Sequence, residues 1–311
     1  MNVNNKSMDV VGFPASGVGY ARAIAFLFIC CVPLALAWDS LSDISRLVTD
    51  NGNFSEAPLI PLVSAFLVFL DRRTIFSEVS LGWIPGAAMM APGLAFVLLA
   101  RRNAWNLSEA NQCSLLVSGI LLAWVGGFAL LFGTSALRVA RFPMLFLIFA
   151  VPIPEPFLSK VIFRLQEGSA DVAEWFFRLG GIPYLRQGFI FALPGVAIRV
   201  ADECSGIRSS LALLITTVLA SHLFLRTTWR KLVLCVIVIP LAVFKNGLRI
   251  MTLSVLAIYV NPEFLYGNLH RHGGVVFFII GLLPLLFLLA YFQRSERRLY
   301  ETPGNAPAPQ S

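Results

Sequence analysis

Three short stretches carry side chains able to do covalent chemistry. In "ADECSGIRSS" (201–210), Cys204 stands among acids, a glycine and an arginine, just before the apolar run "LALLITTVLASHLF". In "FKNGLRI" (244–250), Arg249 follows an apolar run, and "NLHRHGG" (268–274) sets His270 and His272 ahead of another. The thiolate is the reactive form of cysteine, and a nearby Arg or His cation, or a helix N-terminus, favours it. A histidine can take a proton as base and return it to a leaving amine. An arginine keeps its charge and can hold a developing oxyanion or a substrate carboxylate. Together these parts suit acyl transfer from a peptide bond.

Each residue also has a plainer reading. A lone cysteine at a helix start is commonly structural, Arg249 could snorkel to an interface, and a histidine pair before a helix could cap it. What raises the chemical reading is their joint occurrence at one membrane depth, since ionisable groups inside membranes are functional candidates by default. His222 lies about 27 Å along its helix from Cys204 and is read as structural.

The elements that must position these residues are membrane helices. The chain has 311 residues, 57% hydrophobic and only 13% charged, against roughly 25% charged in a soluble domain. That composition predicts an all-α polytopic membrane protein. Eight apolar segments are legible, roughly 23–38, 58–70, 81–99, 114–133, 142–157, 206–225, 232–248 and 273–292. The net charge of +7 comes from basic residues at segment ends, such as Arg72-Arg73, Arg226 to Lys231 and Arg294 to Arg298. That pattern anchors topology and gives no reason to expect nucleic acid.

Basic ends put both termini inside and the acid-rich 39–57 loop outside, with Arg101-Arg102 as the exception. Lys6 and Arg22 before the first apolar run, and "ALA" at 35–37, resemble a cleavable leader; the first helix is read as uncleaved. The chain then divides into a cytoplasmic segment 1–22, one transmembrane catalytic domain 23–292 and a basic, disordered cytoplasmic tail 293–311. Residues from about 158 start with apolar residues at helical spacing, predicting a helix along the membrane surface. "GFIFALPGVAIRVADEC" then alternates, with "LPG" as a turn, and predicts a short extracytoplasmic hairpin before Cys204.

From Lys231 to Arg249 is about 18 residues, or roughly 27 Å of helix, which nearly crosses a hydrocarbon core of about 30 Å. Arg249 therefore arrives at the level where the sixth and eighth segments begin, so Cys204, Arg249 and His270 or His272 are expected to converge. The other cysteines, Cys30, Cys31, Cys113 and Cys235, show neither metal spacing nor a disulfide framework.

At these motifs the chain resembles the exosortase/archaeosortase family of membrane-embedded cysteine transpeptidases. "ECSGIRSS" resembles its active-site cysteine motif, "NGLR" at 246–249 its arginine motif, and "HRHGGVVFF" at 270–278 its histidine motif. The last is a histidine followed four residues later by glycine. The spacing to Gly274 assigns the histidine role to His270; His272 is an additional histidine. "FSEAPLIPLVSAFLVFLDRR" (54–73) and "FPMLFLIFAVPIPEP" (142–156) resemble more N-terminal signatures, so the likeness covers most of residues 20–292.

The resemblance implies Cys204, Arg249 and His270 as catalytic residues, with Glu203, Arg208, Asn246 and His272 binding substrate, and no cofactor or metal. It implies a bacterial inner-membrane enzyme with its site on the extracytoplasmic face. Its partners would be membrane lipid, exported proteins ending in a short motif, a transmembrane helix and a basic cluster, and an acceptor that the sequence does not name. Such enzymes usually accompany exopolysaccharide production.

Two other classes compete: a multi-span transporter, or a scaffold of exopolysaccharide export with Cys204 non-catalytic. The prolines in apolar segments (Pro33, Pro85, Pro92, Pro143, Pro240, Pro284) suit a transporter. Against it, the sequence shows no inverted repeat and is read as holding no carboxylate or lysine in mid-span.

Overall fold

The long apolar segments become helices because a bilayer leaves backbone groups no partner but their own helix. The computed structural model describes residues 17–38, 57–200, 206–265 and 274–301. Within it the chain forms two compact units, Met1–Glu155 and Pro156–Ser311.

The first unit contains α1 (Gly17–Leu36), α2 (Leu59–Leu70), α3 (Arg72–Ile75), α4 (Trp83–Arg101), α5 (Glu109–Val139), α6 (Arg141–Phe146) and a 3-10 turn, Leu147–Ala150. Its spine is the α4–α5 pair. A Cβ on Gly93 would lie 2.6 Å from the Ala123 backbone nitrogen, so small residues let the two backbones touch. α1 lies on α5, with Trp124 Nε1 donating to the Cys30 carbonyl at 3.0 Å. Ser64 Oγ on α2 donates to the Pro143 carbonyl at 2.7 Å. The apolar segment read as ending at residue 133 runs on to Val139, across a kink at Gly133 with φ 87°.

The second unit begins with α7 (Glu155–Leu179), whose buried residues Gln166, Ser169, Ala170, Ala173 and Phe177 fall at i, i+3, i+4, i+7 and i+11 on one helix face. A three-stranded antiparallel sheet follows: β1 (Leu185–Gln187), β2 (Ile190–Leu193) and β3 (Val196–Arg199). The register pairs Arg186 with Phe191 and Leu193 with Val196. The expected hairpin is β2–β3, turning at Pro194-Gly195, and β1 extends it into a sheet.

Phe191, Leu193 and Val200 pack on Ala170, Ala173 and Phe177 of α7. On the polar side Arg186 pairs with Asp171 at 2.8 Å and Glu174 at 2.6 Å. Arg186 and the Tyr184 hydroxyl hold the Glu174 carboxyl below the usual carboxylate range.

Three long helices complete the unit: α8 (Ile207–Phe224), α9 (Thr228–Tyr259) and α10 (Gly274–Glu301). Leu213, Leu234, Val238, Leu285, Leu289 and Phe292 form their shared core. At one end Glu296 of α10 accepts from the backbone nitrogens of Arg226 and Thr227, 2.9 Å each, and so caps the start of α9. Arg230 donates to the Phe292 carbonyl beside it.

Among the described residues, five helices are long and apolar enough to cross a membrane: Trp83–Arg101, Glu109–Val139, Ile207–Phe224, Thr228–Tyr259 and Val275–Arg298. A broken pair, Arg141–Ala150 with Glu155–Leu179, makes a sixth if counted as one span. The expected count of eight spans is not confirmed among the described residues. Tyr20–Leu36 and Leu59–Leu70 are shorter apolar helices. The fifth segment breaks because Pro152 and Pro154 stop a helix; Val151, just before them, is extended (φ −77°, ψ 123°). The basic residues Arg294, Arg297 and Arg298, read as tail, lie in α10.

Candidate active site

Val200 and Gly206, the described residues nearest to Cys204 on either side, are each held by a neighbouring helix. Upstream, the carbonyl of Val200 accepts a hydrogen bond from Gln166 of α7, a buried side chain. Downstream, Gly206 precedes α8 in a left-handed conformation (φ 73°, ψ 14°), which suits glycine. A Cβ on Gly206 would lie 2.8 Å from Oδ1 of Asn246. The glycine of the first motif is therefore fixed twice, by backbone conformation and by the asparagine of the second motif.

Asn246 is 2% exposed. Its Nδ2 donates to Ser169 Oγ on α7 at 3.0 Å, and Ser169 is fully buried. The next residue, Gly247, brings α9 onto α7, where a Cβ would meet Val172 Cγ1 at 2.5 Å. Asn246, expected to bind substrate, thus touches parts of the fold itself: Gly206 and Ser169. Arg208, the second residue of α8, is exposed. Arg249 is half-buried on α9. Cys204, Glu203, His270 and His272 lie outside the described residues.

The helix carrying Arg249 is longer than the sequence suggests. α9 spans 32 residues, about 48 Å, and Arg249 comes ten residues before its end. The polar run "FKNGLR" reads as the end of a span, yet the helix passes through it. Lys245 and Asn246 find partners in the neighbouring α8 and α7, and Ile250, Leu253 and Ala257 beyond the run are buried.

Lys245 is one of those side chains. It lies 17 residues into α9, is 2% exposed, and donates from Nζ to Ser209 Oγ on α8 at 2.5 Å. Ser209 Oγ in turn donates to the Gly206 carbonyl at 3.1 Å. Lys245, Ser209, Ser169 and Gln166 are the polar residues here that sequence reading missed. One signal for Lys245 was available: it precedes Arg249 by four positions, which puts both on one helix face.

α8 and α10 start at the same level. A Cβ on Gly281, in the third turn of α10, would lie 3.5 Å from Leu213 Cδ2 in the second turn of α8. It would lie 3.1 Å from Lys245 Cδ. The helix after Cys204, the helix after His270 and the Lys245–Arg249 stretch of α9 thus meet in one region. Among the described residues no group of three or more His, Cys, Asp or Glu is placed to hold a metal ion.

Long apolar helices with a buried polar cluster at one level define a multi-pass membrane protein. The family model for transmembrane exosortases (Exosortase_EpsH) matches residues 38–287. The chain belongs to that family. No curated protein matches it, and no solved structure does.

Proposed function

We propose that this exosortase is a membrane cysteine peptidase/transpeptidase that cleaves the C-terminal sorting signal of exported proteins. Cys204 is the nucleophile, His270 the proton carrier and Arg249 the oxyanion partner. The Cys204 sulfur attacks the scissile carbonyl carbon, and charge moves to oxygen, where Arg249 stabilises it. Collapse breaks the C–N bond. His270, holding the thiol proton, gives it to the leaving amine, and a thioester remains. An acceptor amine or water then attacks the thioester and restores the thiol.

The observation that carries this reading is the packing of Asn246 on Gly206, which seats the arginine motif against the turn two residues after Cys204. The substrate would arrive tethered by its own transmembrane helix, so much of the entropy of encounter is already lost when the thiol meets the peptide. The cleavage face is the outer side of the bacterial inner membrane.

The test is to trap the intermediate. Membranes holding the enzyme and an exported protein with the tripartite C-terminus are treated with hydroxylamine, and the truncated substrate is examined by mass spectrometry. A C-terminal hydroxamate at the cleavage point is the expected product. Cleavage that yields only a free carboxylate at every hydroxylamine concentration contradicts a thioester.

A further inference from the structure

The three-stranded sheet ends on a strand with one side open. β3 is an edge strand whose neighbour in the sheet is β2. The Val200 nitrogen donates to the Phe189 carbonyl at 2.9 Å, and bonded and non-bonded pairs alternate along an antiparallel ladder. With Phe191 opposite Ile198 and Ala192 opposite Ala197, that alternation bonds Val196 and Ile198 to β2. It turns the N–H and carbonyl of Ala197 and Arg199 outward. Both residues are exposed, and among the described residues neither makes a backbone hydrogen bond at that edge. The strand is backed firmly. Val196 and Ile198 pack on Leu253 and Ala257 of α9, and Phe191 and Leu193 of β2 pack on α7. Leu253 lies about 33 Å of helix beyond Lys231, past a hydrocarbon core of about 30 Å. There water tolerates an open strand edge that lipid would not.

We propose that the outer edge of β3 takes the substrate as an added strand. The residues ahead of the substrate's transmembrane helix lie extended along Val196–Arg199, exchange backbone hydrogen bonds with Ala197 and Arg199, and set an acidic side chain beside the Arg199 guanidinium. The proposal rests on the cysteine-peptidase reading above and names where that substrate is held. Outward N–H and carbonyl groups at alternate residues match an extended peptide backbone. Arg199 forms no ion pair among the described residues, so its charge can meet a carboxylate across the new strand pair. The chain runs from Arg199 to Cys204 in five residues, at most about 18 Å, so a peptide on this edge is held within that reach of the proposed nucleophile. A second copy of this chain fits less well, because pairing β3 with β3 brings two Arg199 side chains onto one short ladder.

Proline separates the edge from the fold. The Ala197 N–H points outward, so Ala197→Pro removes an edge donor and takes no bond from β2. The full chain is assayed in membranes with an exported protein carrying the tripartite C-terminus. Ala197→Pro is expected to raise KM about tenfold with kcat changed far less, as for backbone hydrogen bonds made alike in ground and transition states. Arg199→Glu is expected to raise KM similarly, and a substrate with the acidic residues of this segment changed to lysine is expected to restore it. Binding is read without cleavage in the Cys204→Ala protein. Benzoylphenylalanine is stepped through the substrate segment, cross-linked by light and mapped by mass spectrometry. Cross-links are expected at residues 196–199 and are expected to vanish with Ala197→Pro; if that variant does not accumulate, the map on the unaltered strand decides. Cross-links confined to other elements overturn the proposal, as does an unchanged KM in Ala197→Pro. An effect of Arg199→Glu alone assigns the arginine to a lipid headgroup and likewise overturns strand pairing. The two failures stay apart. Cleavage that survives Cys204→Ala removes the peptidase reading, whereas cross-links that avoid β3 beside a dead Cys204→Ala remove only the docking strand.

Discussion

At the scale of single residues, the motif "NGLR" divides its work. Asn246 packs on Gly206 and bonds Ser169, Gly247 admits α7, and Arg249 is the residue we propose for the chemistry. Arg249→Lys keeps the charge and loses the planar fork. Turnover is expected to fall at least ~100-fold, the range seen on losing an oxyanion donor; near-normal turnover would make Arg249 a membrane anchor. The histidines separate in a different way. Two residues of helix turn about 200°, so His270 and His272 would face opposite sides if both were helical. His270→Ala is expected to be inactive and His272→Ala to keep substantial activity at matched expression. The reverse result moves the proton carrier to His272, and full activity in both leaves the thiol without a histidine base.

At the scale of elements, the turn into α8 is where geometry constrains sequence most tightly. A residue other than glycine at 206 takes a left-handed backbone at about 1–2 kcal/mol and drives its Cβ into Asn246. Gly206→Ala is therefore expected to lower the thermal midpoint in detergent by several degrees. An unchanged midpoint would mean that Asn246 does not hold this turn. The sequence made "LPG" legible as a turn and the alternation around it legible as paired strands, because both signals are local. β1 was not legible, since three residues are too few to show a period. The full length of α9 was hidden for another reason. Lys245, Asn246 and Arg249 look like the end of a span when read against lipid, and the helices beside α9 supply the partners of Lys245 and Asn246 that let it continue.

At the scale of the whole molecule, the polytopic helical class followed from composition alone, since lipid demands long apolar helices. The count of spans did not. Twelve residues at Leu59–Leu70 reach about 18 Å, short of a hydrocarbon core, and Pro152 and Pro154 break what looked like a fifth span. The meeting of α8, α9 and α10 at one level was legible in outline, because counting residues along antiparallel helices fixes depth. Its polar interior was not, because hydrogen-bond partners far apart in sequence leave no periodic trace.

If a single thiol does the cutting, one comparison decides it. An exosortase with Cys30, Cys31, Cys113 and Cys235 replaced by serine is set against the same protein carrying Cys204→Ala. Both are scored by mass spectrometry for the truncated C-terminus of a membrane-tethered substrate. Cleavage by the first and none by the second is expected at equal accumulation in the membrane; cleavage by the Cys204→Ala protein would rule out Cys204 as the nucleophile.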